Sequence, residues 1–180
     1  MTVRVITDSA CDIPDALARE LSIDIVPLSI RFGHEEFTDR RDLNPADFWA
    51  KCAASSELPE TAAPAPGAFQ AAYERARSEG ATGVIVIALS ADLSATHQSA
   101  VLGAQTIDDF PIRVVDSRAV SMAQGLIAIA VAKAAKAGAN LDDLTSLAQT
   151  LAQRTGVVGT INTLEHLIKG GRLKGAKALL

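Results

Sequence analysis

A layered α/β fold with a mostly parallel sheet and flanking helices is the class this sequence predicts, on three observations. Short β-rich runs alternate with helical stretches along most of the chain. Residues 83–89 (Gly-Val-Ile-Val-Ile-Ala-Leu) are apolar at nearly every position, the pattern of a strand covered on both faces of a parallel sheet. Helix start and stop residues fall between these runs. With 180 residues, the chain has room for one domain, or one plus part of another. Hydrophobic residues make up 48% and charged residues 21%, which fits a packed core rather than a disordered chain.

The elements follow in order. Residues 3–7 read as a strand ending at polar Asp8 and Ser9. A helix runs from Pro14 to about Leu21, with Asp12 as its N-cap. Residues 23–30 form a second strand, and Pro27 within it places it at an edge or bulge. Residues 35–38 supply a short hairpin partner, and 45–55 a helix with Pro45 at its first position after Asn44. Pro59, Pro64 and Pro66 exclude both helix and central strand from 57–67. A helix over 68–78 stops at Gly80. After the 83–89 strand comes a polar turn, and Ser94 begins a helix reaching about Ile107. Residues 112–116 form the next strand. The helix over 122–137, ended by Gly138, is apolar nearly all round and should be covered. Asn140 caps a helix over 141–153, 156–161 is a final strand, and 163–168 a short helix. Residues 1–154 are therefore expected to form one α/β lobe, and 155–180 the incomplete beginning of a second.

Composition removes several function classes. The net charge is −4, with 17 Lys and Arg against 21 Asp and Glu, and no basic block suits non-specific nucleic-acid binding. Cys11 and Cys52 form neither a C-x-x-C nor a Cys/His metal spacing, so no metal is expected. The longest apolar run, 126–132, is far short of the roughly 20 residues that span a bilayer. The opening residues turn polar too soon for an export signal, and a cytoplasmic location is expected.

In open parallel sheets, ligands bind beyond the carboxyl ends of the strands. Three polar clusters fall there: Thr7-Asp8-Ser9, residues 90–94, and Asp116-Ser117. Ser94 directs its hydroxyl toward the first-turn N–H groups of Ala95 and Thr96, a place that favours an anion, although by itself the feature fits an ordinary cap better. Asp8 and Asp116 fit turn-ordering better than metal binding, since no third ligand has a matching spacing. Thr61 is a hydroxyl in the Pro-rich loop. His97 lies too close to Ser94 in one helix to build a hydrolase triad, and no G-x-S-x-G, P-loop or G-x-G-x-x-G motif occurs. Lys169-Gly170-Gly171-Arg172 is a basic turn able to meet a phosphate or an acidic partner, or simply to be solvated.

Five segments in register resemble the DegV family. Thr7-Asp8-Ser9-Ala10-Cys11-Asp12 is similar to its T-D-S-x-x-D opening, and residues 59–69 to its P-x-T-S-Q-P-S-P-G-x-F loop. Residues 89–100 resemble L-S-S-x-L-S-G-T-Y-Q-S-A. Val115-Asp116-Ser117 with Ser121 and Gly125 matches the next segment, and residues 164–173 the L-x-x-L-x-x-G-G-R-I element. The departures are Ala62, Ala63, Ala65, Ala91 and Ala95, where the family carries Ser, Gln, Ser, Ser and Gly, and His97 in place of an aromatic.

The resemblance implies a two-lobe α/β protein that holds a long-chain fatty acid between its lobes. Thr61 and Ser94 would hold the carboxylate, with Asp8, Ser9, Ala95, Thr96, Ser117 and Arg172 near the head group or pocket. It implies no catalysis by this chain, no cofactor, and a separate fatty-acid kinase subunit that phosphorylates the bound acid to an acyl-phosphate. With the second lobe nearly absent, self-association through the face left open is a further partner to consider. Two other readings stand beside it. One is an enzyme acting on a small phosphorylated or carboxylated metabolite at the strand ends, and the other a lobe with no activity of its own.

Overall fold

The computed structural model describes residues 2–55 and 57–173. In chain order the strands are β1 (Arg4–Asp8), β2 (Ile23–Val26), β3 (Ser29–Phe32), β4 (Glu35–Thr38), β5 (Glu60–Ala62), β6 (Val84–Ala88) and β7 (Ile112–Asp116). The helices are α1 (Asp15–Leu21), α2 (Pro45–Ala54), α3 (Pro66–Ser78), α4 (Thr96–Ala104), α5 (Met122–Lys136), α6 (Leu141–Arg154) and α7 (Glu165–Lys169). Packing groups them into two units, Met1–Leu28 with Ala63–Val157, and Ser29–Ala62 with Val158–Leu180. Each unit is discontinuous in sequence, because β3, β4 and β5 pair with one another and not with the parallel strands.

The first unit is the expected parallel sheet, in the order β2-β1-β6-β7. All five residues of β6 are buried, and its side chains alternate between two layers. Ile85 and Ile87 join Val5, Ile127, Val131 and Leu144 beneath α5 and α6. Val84 and Val86 join Ile6, Phe69, Tyr73 and Ala100 beneath α3 and α4. Burying each large apolar side chain contributes about 1.5–3 kcal/mol, so this strand anchors both layers. The Tyr73 hydroxyl escapes an unpaired burial by donating to the Ala100 carbonyl at 2.9 Å. The expectation that α5 is covered holds for Ile127, Ala128, Val131, Ala132 and Ala135, whereas Leu126 is 58% exposed.

The second unit is the antiparallel sheet β4-β3-β5 with α2 and α7. Ile30, Phe32 and Leu43 are its buried centre, with Phe37, Phe48 and Cys52 against them. The Phe32 ring meets Phe37 and Phe48 edge-on, at centroid distances of 6.4 and 5.8 Å. Asn44 caps α2 by accepting the Asp47 N–H at 3.0 Å, with Pro45 at the first helical position as expected.

Four local expectations are corrected. Asp12 does not cap α1, which begins at Asp15 behind Pro14 with no side-chain cap. Asp12 instead lies in the left-handed region (φ 53°) and accepts the Ser121 hydroxyl at 2.5 Å. The 23–30 strand is two strands in two sheets. Pro27 has no N–H to give a ladder, and the next amide, Leu28 N–H, donates to Ser9 Oγ at 3.0 Å. The Pro-rich segment is not wholly loop: β5 pairs with β3 as an edge strand, the one sheet position that flanking prolines tolerate. Residues 156–161 are not a strand. Among the described residues no strand pairs with them, and Val158 is fully exposed. No helix of the described residues is long and apolar enough to cross a membrane.

Candidate functional site

Because β1, β6 and β7 run parallel as neighbours, their carboxyl ends share one edge of the sheet, with Thr7 opposite Ile87 and Ala88 opposite Asp116. Thr7 donates its hydroxyl across to the Ile87 carbonyl at 2.7 Å. Asp8, fully buried, accepts the N–H of Leu89 at 2.8 Å, that of Ala10 at 3.1 Å, and Gln124 Nε2–H at 2.9 Å. Burial raises its carboxyl from the ordinary 3.8 to about 6, against the pull of these hydrogen bonds in the other direction. Gln124 Nε2 also faces Thr7 Oγ1 at 3.0 Å and the Ile87 carbonyl at 3.2 Å, while its Oε1 is buried without a hydrogen-bond partner.

At the end of β7, Asp116 accepts Arg118 N–H at 2.8 Å and Ala91 N–H at 3.2 Å. Ser117 is buried, its N–H on the Ala88 carbonyl at 3.0 Å and its hydroxyl bound to Ala119 at 3.2 Å. Ser90 N–H donates to the Ala119 carbonyl at 3.0 Å. Both aspartates therefore order turns, as the sequence favours. The surrounding backbone is unusual: Asp12, Arg118 and Ser121 all have positive φ, and residues held in such conformations cluster at functional sites.

Ser94 follows this turn. The helix opens at Thr96, two residues later than expected, so Ser94 precedes the cap position held by Ala95. Its hydroxyl still faces the helix start: Oγ lies 2.9 Å from Thr96 Oγ1 and accepts Thr96 N–H at 3.3 Å. Thr96 is buried, Ser94 half-buried and Ala95 exposed. A half-buried hydroxyl at a helix start can present a hydrogen-bond donor to an anion.

Thr61 belongs to the second unit. It lies on edge strand β5 opposite Ile30, exposed, and its Oγ1 accepts Arg172 Nη2–H at 3.3 Å. Arg172 also donates to the Gly170 carbonyl at 2.6 Å. Both residues line a cavity of about 1060 Å³ with Trp49, Leu58, Pro59 and Leu167. Glu57, Glu60, Glu165, His166 and Lys169 line it as well, so its walls mix apolar and charged side chains.

The structure thus gathers Asp8, Ser9, Ser117 and the Ser94–Ala95–Thr96 segment around the ends of one sheet, and joins Thr61 to Arg172 in the other unit. Gln124 was missed. Its trace in the sequence is a single uncharged polar side chain in the first turn of a helix that is apolar up to Lys133. Among the described residues no group of three or more His, Cys, Asp or Glu could hold a metal ion.

Comparison with known proteins places this geometry. The model of the DegV family, described as "Uncharacterised protein, DegV family", matches residues 2–180. A DegV domain-containing protein of Listeria innocua is 33% identical over 178 residues, 99% of this chain and 63% of that protein. The fold matches DegV of Bacillus subtilis, described as a fatty acid binding protein, with a TM-score of 0.89 at 28% identity, over 99% of this chain and 64% of that one. It matches a DegV family protein from Thermus thermophilus, described for its fatty acid binding, with a TM-score of 0.87 at 29% identity, over 100% and 64%. The chain therefore spans a little under two thirds of the length of these relatives. With the family model matched over residues 2–180 and the fold shared with solved members over nearly the whole chain, this chain belongs to the DegV family.

Proposed function

We propose that this chain binds a long-chain fatty acid, with hydroxyls of Thr61 and Ser94 as donors to its carboxylate, and presents it to a separate kinase subunit that forms the acyl-phosphate. The observation that carries the reading is the match in fold to solved relatives described as fatty-acid-binding, the first two at TM-scores of 0.87 and 0.89. On this reading the chain is a non-catalytic binding subunit of the cytoplasm. Asp8 holds the start of the turn that leads to Ser94, Ser9 and Ser117 stand at the ends of the neighbouring strands, Ala95 and Thr96 supply the helix start, and Arg172 lies beside the Thr61 hydroxyl.

Magnitudes support a division of labour between tail and head group. Burying about ten methylenes at ~0.8 kcal/mol each gives on the order of 8 kcal/mol before ordering costs. Two hydrogen bonds to a charged carboxylate add roughly 3–6 kcal/mol gross. The tail then supplies most of the affinity, and the hydroxyls the orientation. Ala62, Ala65 and Ala91 leave fewer hydroxyls around the carboxylate than the family pattern carries, which places more weight on Thr61 and Ser94.

The test is mass spectrometry of an organic extract of the purified protein, followed by titration of Thr61→Ala and Ser94→Ala with the acid recovered. A stoichiometric fatty acid and weakened binding in both variants are expected. Unchanged affinity in both variants would sink the assignment of the carboxylate.

A further inference from the structure

We propose that Gln124 and Asp8 are the positioning pair for the turn that carries Ser94, holding its first amide so that the Ser94 hydroxyl stands where a ligand carboxylate meets it. The inference rests on the reading of Ser94 given above. The turn leaves β6 at Leu89, and each of its early amides is held from outside. Leu89 N–H goes to Asp8, Ser90 N–H to the Ala119 carbonyl, and Ala91 N–H to Asp116. The Ser90 carbonyl then receives both Leu93 N–H at 3.0 Å and Ser94 N–H at 3.1 Å. Ser94 is therefore two hydrogen-bonded links from Asp8.

Gln124 carries a cost that packing alone does not explain. Its Oε1 is buried and bare, which a leucine or methionine of similar volume would avoid. What offsets that cost is its Nε2, which meets three acceptors on two strands: Asp8 Oδ2, Thr7 Oγ1 and the Ile87 carbonyl. The groups that reach the Asp8 carboxylate are neutral: Leu89 N–H, Ala10 N–H and Gln124. Other titratable side chains on this edge are Asp12, bound by Ser121, Asp116, bound by the Ala91 and Arg118 amides, and the buried thiol of Cys11. Among the described residues no cation stands against this charge, so the side-chain amide is what keeps Asp8 a charged, strong acceptor for Leu89 N–H.

The same geometry offers a second arrangement. A protonated Asp8 needs an acceptor for its O–H, and reversing the Gln124 amide would turn the bare Oε1 toward it. That reversal withdraws Nε2 from Thr7 and Ile87 and leaves Leu89 N–H on a neutral acid. The turn is thereby linked to one buried proton, which the raised Asp8 carboxyl places near pH 6.

The experiment uses the full chain and two readouts. In the unliganded wild type, NMR should show the Asp8 carboxyl carbon, the Leu89 amide and the Gln124 side-chain amide titrating with one common midpoint. In Gln124→Leu, affinity for cis-parinaric acid should fall about tenfold, while its methyl ester, which lacks the charge, stays within about twofold. Equal loss for acid and ester, no loss for the acid, or a Leu89 amide that ignores Asp8 would each overturn the pairing. If Ser94→Ala binds the acid as the wild type does, the reading of Ser94 fails. The pairing is then judged by the Leu89 titration and by whether the 90–96 amide shifts move in Gln124→Leu. Should Gln124→Leu not fold, the wild-type titration decides alone.

Discussion

Replacing Gly103 by alanine measures how closely α4 must approach α3. A β-carbon there would stand 2.6 Å from the Pro66 carbonyl oxygen, 3.1 Å from Phe69 Cβ and 3.2 Å from the Gln70 nitrogen. Carbon meets a carbonyl oxygen at about 3.3 Å, so α4 must retreat by ~0.7 Å. Pro66 opens α3 and the oxygen is main chain, so no change of rotamer relieves the contact. The retreat loosens the layer that holds Phe69 and Tyr73, both fully buried. Overpacking of this kind costs about 1–3 kcal/mol, against a gain of ~1 kcal/mol from helix propensity. The net loss, up to ~2 kcal/mol, should lower Tm by up to roughly 8 °C at about 2–4 °C per kcal/mol. Gly67→Ala is the matched control, because nothing lies within 4 Å of its β-carbon position. It should be neutral or stabilise by up to ~1 kcal/mol. Thermal and urea unfolding followed by circular dichroism give both values. A Gly103→Ala protein stabilised as much as Gly67→Ala would refute the close-contact reasoning.

Two other predictions concern buried polar groups. Asp8 has a raised pKa in the folded state, so the fold keeps this proton to higher pH than the unfolded chain does. Its contribution is complete below about 3.8 and is lost as pH rises through about 6, about 3 kcal/mol in all at 1.36 kcal/mol per pH unit. Asp8→Asn cannot ionise, so the stability difference between it and the wild type should drift by that amount between pH 3.5 and 7; a constant difference in urea unfolding would contradict it. Tyr73→Phe removes the hydrogen bond to the Ala100 carbonyl and should cost about 1 kcal/mol, read in the same assay; no loss would mean that this buried hydroxyl adds nothing net.

Where the sequence was legible, local chemistry and tertiary packing agreed. The apolar β6 run, the Asn44 and Asn140 caps and the glycine stop at Gly138 could be read because each acts within a few residues. The edge clusters were legible for a topological reason: parallel strands bring their carboxyl ends together, so Asp8, Ser90 and Asp116 had to share one edge. The misreadings came where distant partners decide. Asp12 looks like a cap until Ser121, 109 residues away, takes its carboxylate. Residues 156–161 carry strand-forming Val and Ile but meet no neighbouring strand among the described residues. Gln124 was invisible because its role exists only where β1, β6 and α5 meet.

The interrupted order of the two units has a consequence for how the chain is made. Val5 pairs with Ile23 on one side and with Ile85 on the other, so β1 gains its second neighbour only 62 residues after its first. At about 5–20 residues per second, synthesis leaves that edge unpaired for roughly 3–12 s. During this interval β1 and β2 are a two-stranded fragment, a size that is marginal alone and open to pairing with the wrong strand. The intervening 34 residues, Ser29–Ala62, must then be held as a closed loop when β6 arrives, at an entropic cost of about 3 kcal/mol. The apolar character of β6 therefore matters beyond the finished core: it decides whether a nascent chain captures its own strand before another chain's.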